Sequence, residues 1–177
     1  MSSFPDLATG AWTVDPAHSE ISFVARHLMV AKVRGRFSEF DATVTVGDSF
    51  ETSSATATIQ LASVDTRSAD RDNHLRTSEF FDVAVTPTMT FSSTKVSADS
   101  IAGDLTIKGV TQPVVLDLEF NGVTTDPWGG TRAGFEASTE INRKDFGLTW
   151  NVALESGGVM VGDKIKIELE LELVKAA

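Results

Sequence analysis

Residues 164–175, KIKIELELELVK, alternate apolar and charged side chains. A period of two is the signature of a strand with one dry face and one wet face. Ile165, Ile167, Leu169, Leu171 and Leu173 form the apolar stripe, and Lys166, Glu168, Glu170 and Glu172 the polar one. The same period recurs along nearly the whole chain. It predicts strands over approximately 19–26, 33–46, 54–63, 88–95, 100–107, 113–121, 131–141 and 163–174. Gly, Asp, Asn and Pro interrupt it at GD (47–48), NG (121–122) and DPWGG (126–130), which reads as turn chemistry, and VSADS (96–100) is short enough for a hairpin.

One segment departs from this pattern. RSADRDNHLRTSEFF (67–81) is charged and poor in β-branched residues, and Ser68 suits an N-cap. It predicts the single substantial helix, with Ala69, Leu75, Phe80 and Phe81 turned to the strands. No linker, low-complexity tract or repeat divides the chain, so 1–177 reads as one domain with a short irregular N-terminus over 1–10. A chain of this length buries roughly 70% of its unfolded surface, which is enough for a core.

Strands that are wet on one side belong to antiparallel sheets, not to a doubly wound parallel one. The expected class is all-β: an eight-stranded antiparallel up-and-down, lipocalin-like barrel, with a sandwich as the other arrangement. The inward stripe carries Val114, Leu116, Leu118 and Phe120; Ala133, Phe135, Ala137, Thr139 and Ile141; Ala55, Ala57, Ile59 and Leu61; Met89, Phe91 and Ser93; and Ile101, Gly103, Leu105 and Ile107. An eight-stranded barrel is either just filled by its side chains or holds one small ligand. Ala55, Ala57, Gly103, Ala133 and Ala137 favour a hollow interior. Large neighbours such as Phe23, Phe91 and Phe135 would instead fill those gaps. Both readings stand at this point.

Composition narrows the chemistry. The absence of cysteine removes thiolate nucleophiles, disulfides and cysteine-ligated metals. Fifteen basic against twenty-five acidic residues give a net charge of −10, which argues against a nucleic-acid partner. The start, MSSFPDLATGAW, has neither the basic nor the apolar region of a secretory signal, and the longest strongly apolar run is as short as LMVA (28–31). The expectation is a cytoplasmic protein that does not span a membrane. Nucleotide, hydrolase, zinc-protease and calcium-loop motifs are all absent from the sequence.

VDTRSADRDNHLRTSEFFDVAVTPTMTF, IAGDLTIKGVTQPVVLDLEF and INRKDFGLTW, together with an earlier GRF (35–37), follow one another in an order that resembles the YceI family of lipocalin-like, polyisoprenoid-binding proteins. The likeness runs from about Trp12 to Val174. It implies an extended antiparallel barrel with a long apolar tunnel. It further implies an isoprenoid or other long-chain lipid as partner, no cofactor and no catalytic residue. Family members often carry a secretion signal; the start of this sequence does not read as one, so the expectation is a cytoplasmic member.

The candidate ligand-binding residues are therefore the inward apolar and aromatic positions Phe23, Phe37, Ile59, Met89, Phe91, Leu105, Ile107, Leu116, Leu118, Phe135, Ile141, Phe146, Trp150, Ile167 and Leu169. In INRKDFGLTW, Phe146 and Trp150 flank a glycine, so a turn sets two aromatics near a barrel end, as a structural plug or as tunnel lining. His18 and His27 sit nine apart on one strand and His74 lies i, i+4 from Asp70, so no metal site is predicted. Asp72, Arg71 and Arg76 read as a solvated face with local pairs, or the arginines as a head-group contact at the barrel mouth. Lys32, Arg34 and Arg36 in KVRGRF share one strand face, as a solvated edge or a phosphate-capturing one. Two other functions remain open: an enzyme acting on a small apolar substrate inside the barrel, and an interaction module. A homodimer through the last strand and the first aromatic segment is also compatible with the sequence.

Overall fold

The alternating segments form strands throughout the computed structural model, which describes residues 4–28, 30–152, 154 and 160–176. In chain order these are β1 Gly10–Val14, β2 Glu20–His27, β3 Ala31–Phe37, β4 Phe40–Val46, β5 Ser54–Gln60, β6 Val64–Asp65, α1 Ala69–Leu75, β7 Thr88–Val96, β8 Ser100–Ile107, β9 Val110–Thr125, β10 Thr131–Asn142 and β11 Lys164–Lys175. The order β1-β4-β5-β7-β8-β9-β10-β11 closes on itself through β1–β11, giving an eight-stranded antiparallel barrel. β2, β3 and β6 extend it lengthwise. β11 pairs with β1 at residues 173–175 and with β2 at residues 166–170, so β1 and β2 share one edge. β4 and β3 continue that pairing on the next rung.

Several boundaries differ from those the sequence predicts. The expected strand 33–46 is broken at Ser38–Glu39 into β3 and β4, and β1 is an additional strand. NG (121–122) does not turn the chain. β9 runs straight through it with a bulge: Gly134 faces Gly122 while Phe135 faces Phe120, which leaves Asn121 unpaired. Gly122 takes φ 111°, a conformation glycine adopts without a Cβ penalty. The helix spans Ala69–Leu75, not 67–81. The Ser68 hydroxyl caps it by accepting from the Arg71 N–H. It ends where the Phe81 N–H returns to the Leu75 carbonyl at 2.9 Å and the Thr77 hydroxyl donates to the His74 carbonyl at 2.7 Å. Leu75 and Phe81 pack on the barrel and Phe80 is buried, whereas Ala69 is exposed.

Asp72 fixes the helix. Its Oδ1 accepts from the Thr66 N–H at 2.8 Å and the Thr66 hydroxyl at 2.6 Å, and it is buried. Arg71 donates to the Thr66 hydroxyl and carbonyl, and Arg76 to the Ala62 and Val64 carbonyls. Both arginines thus tie down residues 62–66. Asp72→Ala leaves two buried donors unpaired and should lower stability by about 1–3 kcal/mol. Urea denaturation should show a lower midpoint with an unchanged slope.

Arg132 performs a similar task at the other end of the barrel. It donates to Asp15 at 2.7 Å, Glu172 at 2.9 Å and Asp126 at 3.0 Å, joining the turn before β2, β11 and the β9–β10 hairpin. Arg132, then His18, hold the Asp15 carboxyl below its usual range. The Gly130 N–H, then Arg132, do the same for Asp126. A depressed carboxylate stabilises the fold above the ordinary Asp value of 3.8 and loses that contribution as the pH falls through the folded value. Arg132→Met should therefore lower the melting temperature at neutral pH, with the difference from the parent fading toward about pH 2. Thermal melts across that range will check it.

Candidate functional site

Two buried clusters fill the barrel unequally. Phe37, Ile107, Ile141, Phe146 and Leu148 belong to a solid region at the α1 end, and Phe146 is only 1% exposed. Trp12, Ala133 and Leu173 anchor the second cluster on the wall of the opposite end, and the fully buried Trp12 donates its indole N–H to the Ala8 carbonyl at 3.0 Å. Beside them lies a cavity of about 170 Å³.

Nine of the fifteen predicted positions line this cavity: Ile59, Met89, Phe91, Leu105, Leu116, Leu118, Phe135, Ile167 and Leu169. They come from β5, β7, β8, β9, β10 and β11, and the shared inward phase of those strands brings them together. The other six lie elsewhere. Phe37, Ile107, Ile141 and Phe146 form the solid region below the cavity. Phe23 lies across Gly35 and against Phe37, ring centres 5.6 Å apart. Trp150 stands edge-on to His74 at 4.6 Å and beside Phe80 at 5.4 Å. Phe146 is packed into the buried cluster, and Gly147, at φ 75°, lets the chain leave the turn that buries it.

Both readings of the small inward residues occur, at different heights. Ala55, Ala57 and Ala137 leave open space and line the cavity. The Phe91 ring covers Gly103, and Ala133 is packed into the second cluster. The sequence reading missed Phe4, Leu7, Val44 and Val46, which also line the cavity. Phe4 packs against Phe50, Phe120 and Phe135 at 5.2, 4.9 and 5.2 Å. The three-residue spacing of Phe4 and Leu7 was the sole hint that the supposedly irregular N-terminus belongs to the interior.

The wall is apolar except for Thr139 and for Ser53, Ser54 and Thr56 around the start of β5, where the cavity approaches the barrel end. Among the described residues no titratable side chain lines it. Ser93, the other inward hydroxyl, accepts from the Ala55 N–H. The histidines stand apart from the cavity. His18 Nδ1 lies 2.8 Å from Asp15 and 3.5 Å from Glu172, a grouping close enough for a metal ion, but Arg132 already donates to both carboxylates. His74 pairs with Glu79, not with Asp70. The site can therefore take hydrocarbon out of water.

The YceI-like domain matches residues 12–173. A UPF0312 protein of Staphylococcus epidermidis is 45% identical over 161 residues, covering 89% of this chain and 94% of that protein. Among solved structures, the Campylobacter jejuni YCEI protein superposes with a TM-score of 0.70 at 30% identity, covering 86% of this chain and 90% of that one. A polyisoprenoid binding domain from Saccharophagus degradans, implicated in plant cell wall breakdown, shares the fold with a TM-score of 0.71 at 17% identity, covering 94% and 98%.

Proposed function

The chain belongs to the YceI-like domain family, and from that membership we propose that it binds a long apolar chain, a polyisoprenoid or related amphiphile, in the hollow part of its barrel, for carriage, storage or sequestration. The observation that carries this reading is the cavity wall, where aliphatic and aromatic side chains meet with no titratable group among the described residues. The polyisoprenoid-binding neighbour supports the class of ligand.

Burial of hydrocarbon drives such binding. Each CH₂ that enters the cavity contributes about 0.8 kcal/mol gross. Ordering the tail and losing its free tumbling return much of that. Ser53 and Ser54 are the polar groups nearest a head group left at the barrel end.

Native mass spectrometry of protein purified without detergent tests the proposal. The expected result is a bound mass that denaturation releases as an amphiphile. Repeated recovery of ligand-free protein that also fails to bind geranylgeraniol would overturn it.

A further inference from the structure

The motif KVRGRF does not take part in the cavity. Val33, Gly35 and Phe37 point inward on β3, so Lys32, Arg34 and Arg36 point outward and are exposed. Pairing sets further cations beside them: Arg26 faces Lys32, and Lys166 joins Arg34 across Val24. Arg67 and Arg71 flank the same groove. In a protein of net charge −10, this corner gathers a substantial part of the fifteen basic residues. Acidic groups lie toward its far edge: Asp65 reaches Arg36 at 3.7 Å, Glu168 reaches Lys166 at 3.2 Å, and Glu20 borders the groove. Among the described residues, no carboxylate pairs with Arg26, Lys32 or Arg34.

The same strands end in an apolar tip. Leu28 and Val30 are 41% and 84% exposed, and Val152 is 45% exposed. Leu28 and Val152 flank Met160, because the Leu28 N–H donates to the Met160 carbonyl at 2.8 Å and the Met160 N–H to the Val152 carbonyl at 2.9 Å, and Val30 closes the same hairpin turn with its N–H on the His27 carbonyl at 3.3 Å. Aliphatic side chains at the point of a hairpin, with cations directly behind them, are the two features that hold a protein at a lipid surface.

We propose that this corner docks on an anionic lipid bilayer. Leu28, Val30 and Val152 enter the boundary between head groups and acyl chains, and Arg26, Lys32 and Arg34 meet the phosphates. The acidic remainder of the protein does not prevent it: charges more than about 8 Å away are screened at physiological salt, so the local cations dominate near the surface. A nucleic acid would leave the aliphatic tip without a partner. The proposal is independent of what the cavity holds, since none of these residues lines it.

Co-flotation of the whole protein with vesicles tests it, using phosphatidylcholine alone or with roughly one-third phosphatidylglycerol, at low and at high salt. Each cation near an anionic surface is worth about fivefold in partitioning. The protein should float with the anionic vesicles at low salt, and less at high salt or on phosphatidylcholine alone. Lys32→Glu/Arg34→Glu should reduce flotation at least tenfold, and Leu28→Ser/Val30→Ser at least threefold. Both pairs are exposed, and circular dichroism will report that they remain folded. Trp128, 87% exposed at the tip of the β9–β10 hairpin, supplies the control: Trp128→Ala should leave flotation unchanged. Equal flotation on both vesicle types, loss caused by Trp128→Ala, full competition by millimolar glycerol phosphate, or binding of duplex DNA with the same charge sensitivity would each overturn the proposal.

Discussion

Replacing Ala57 and Ala137 together by leucine should abolish binding of a long alkyl probe while leaving the barrel folded. Ala57 lies on β5 and Ala137 on β10, four places apart in the closed ring of eight, so they face each other across the lumen. Their nearest cross-strand partners, Phe91 for Ala57 and Leu118 and Leu169 for Ala137, are cavity-wall residues as well. Each leucine adds three carbon atoms to a void of about 170 Å³. Additional methylenes strain a core that is already full, by about 1–3 kcal/mol, but here they enter vacant space. Affinity for a fluorescent long-chain probe should fall at least a hundredfold, with the melting temperature within a few degrees of the parent. Ile107→Val in the solid region gives the opposite pattern: unchanged binding and a loss of about 0.5–1.5 kcal/mol in stability. Intact probe binding by the folded double-leucine variant would show that the ligand sits elsewhere.

Arg143→Met should be the most destabilising single change at the plugged end. Arg143 is 2% exposed. Its guanidinium donates to the carbonyls of Gly162 at 2.9 Å, Leu148 at 2.6 Å, Trp150 at 2.9 Å and Val161 at 3.3 Å. It is the post to which the residues on either side of the last loop are fastened. Burial lowers its hold on its proton, while Asp163, 3.6 Å away, opposes that shift. Methionine fills the volume but donates nothing. The carbonyls of Gly162, Leu148 and Trp150 then lose their donor, Val161 keeps the Asn151 amide at 2.8 Å, and Asp163 Oδ1, buried without a hydrogen-bond partner, loses its neighbouring positive charge. Leaving a buried acceptor unpaired costs about 1–3 kcal/mol, and several are affected here. Arg143→Lys should recover little of this, because an ammonium cannot reproduce the planar fork. Urea denaturation gives the magnitude, and hydrogen exchange should show opening first near Leu148 and Val161. A loss under about 1 kcal/mol would mean that those carbonyls find other donors.

The strands were legible because each buries one face. The alternation in β9 and β11 needed no other information. The break between β3 and β4 was also written in the pattern: the inward stripe is odd-numbered through Val33, Gly35 and Phe37 and even-numbered from Phe40 through Ala42, Val44 and Val46. The same slip separates Trp12 and Val14 from Ile21 and Phe23, and Ile59 from Val64. Because one residue moves a side chain to the opposite face, a change of phase marks a new strand even where no turn residue stands. The bulge at Asn121 was hidden for the converse reason: Asn-Gly is hairpin chemistry, and only the pairing with β10 shows that the strand continues.

The division into hollow and solid regions was beyond pattern reading. Ala57 and Gly103 are both small and inward, yet one borders a void and the other lies under a ring. The difference is where Phe91 points, a tertiary matter. The same holds for Ile107 and Leu105, two positions apart on β8 and of like chemistry, one in the plug and one on the cavity wall.

The plug of Phe37, Ile107, Ile141 and Phe146 turns the tube into a well with a floor. On the proposed reading, a guest enters at the Ser53–Ser54 end and leaves there tail last, with its polar terminus toward the rim. Reach is capped as well. For a series of linear alcohols, tightness of binding should climb with each carbon until the tail touches bottom, then level off, because every further carbon stays in the water outside.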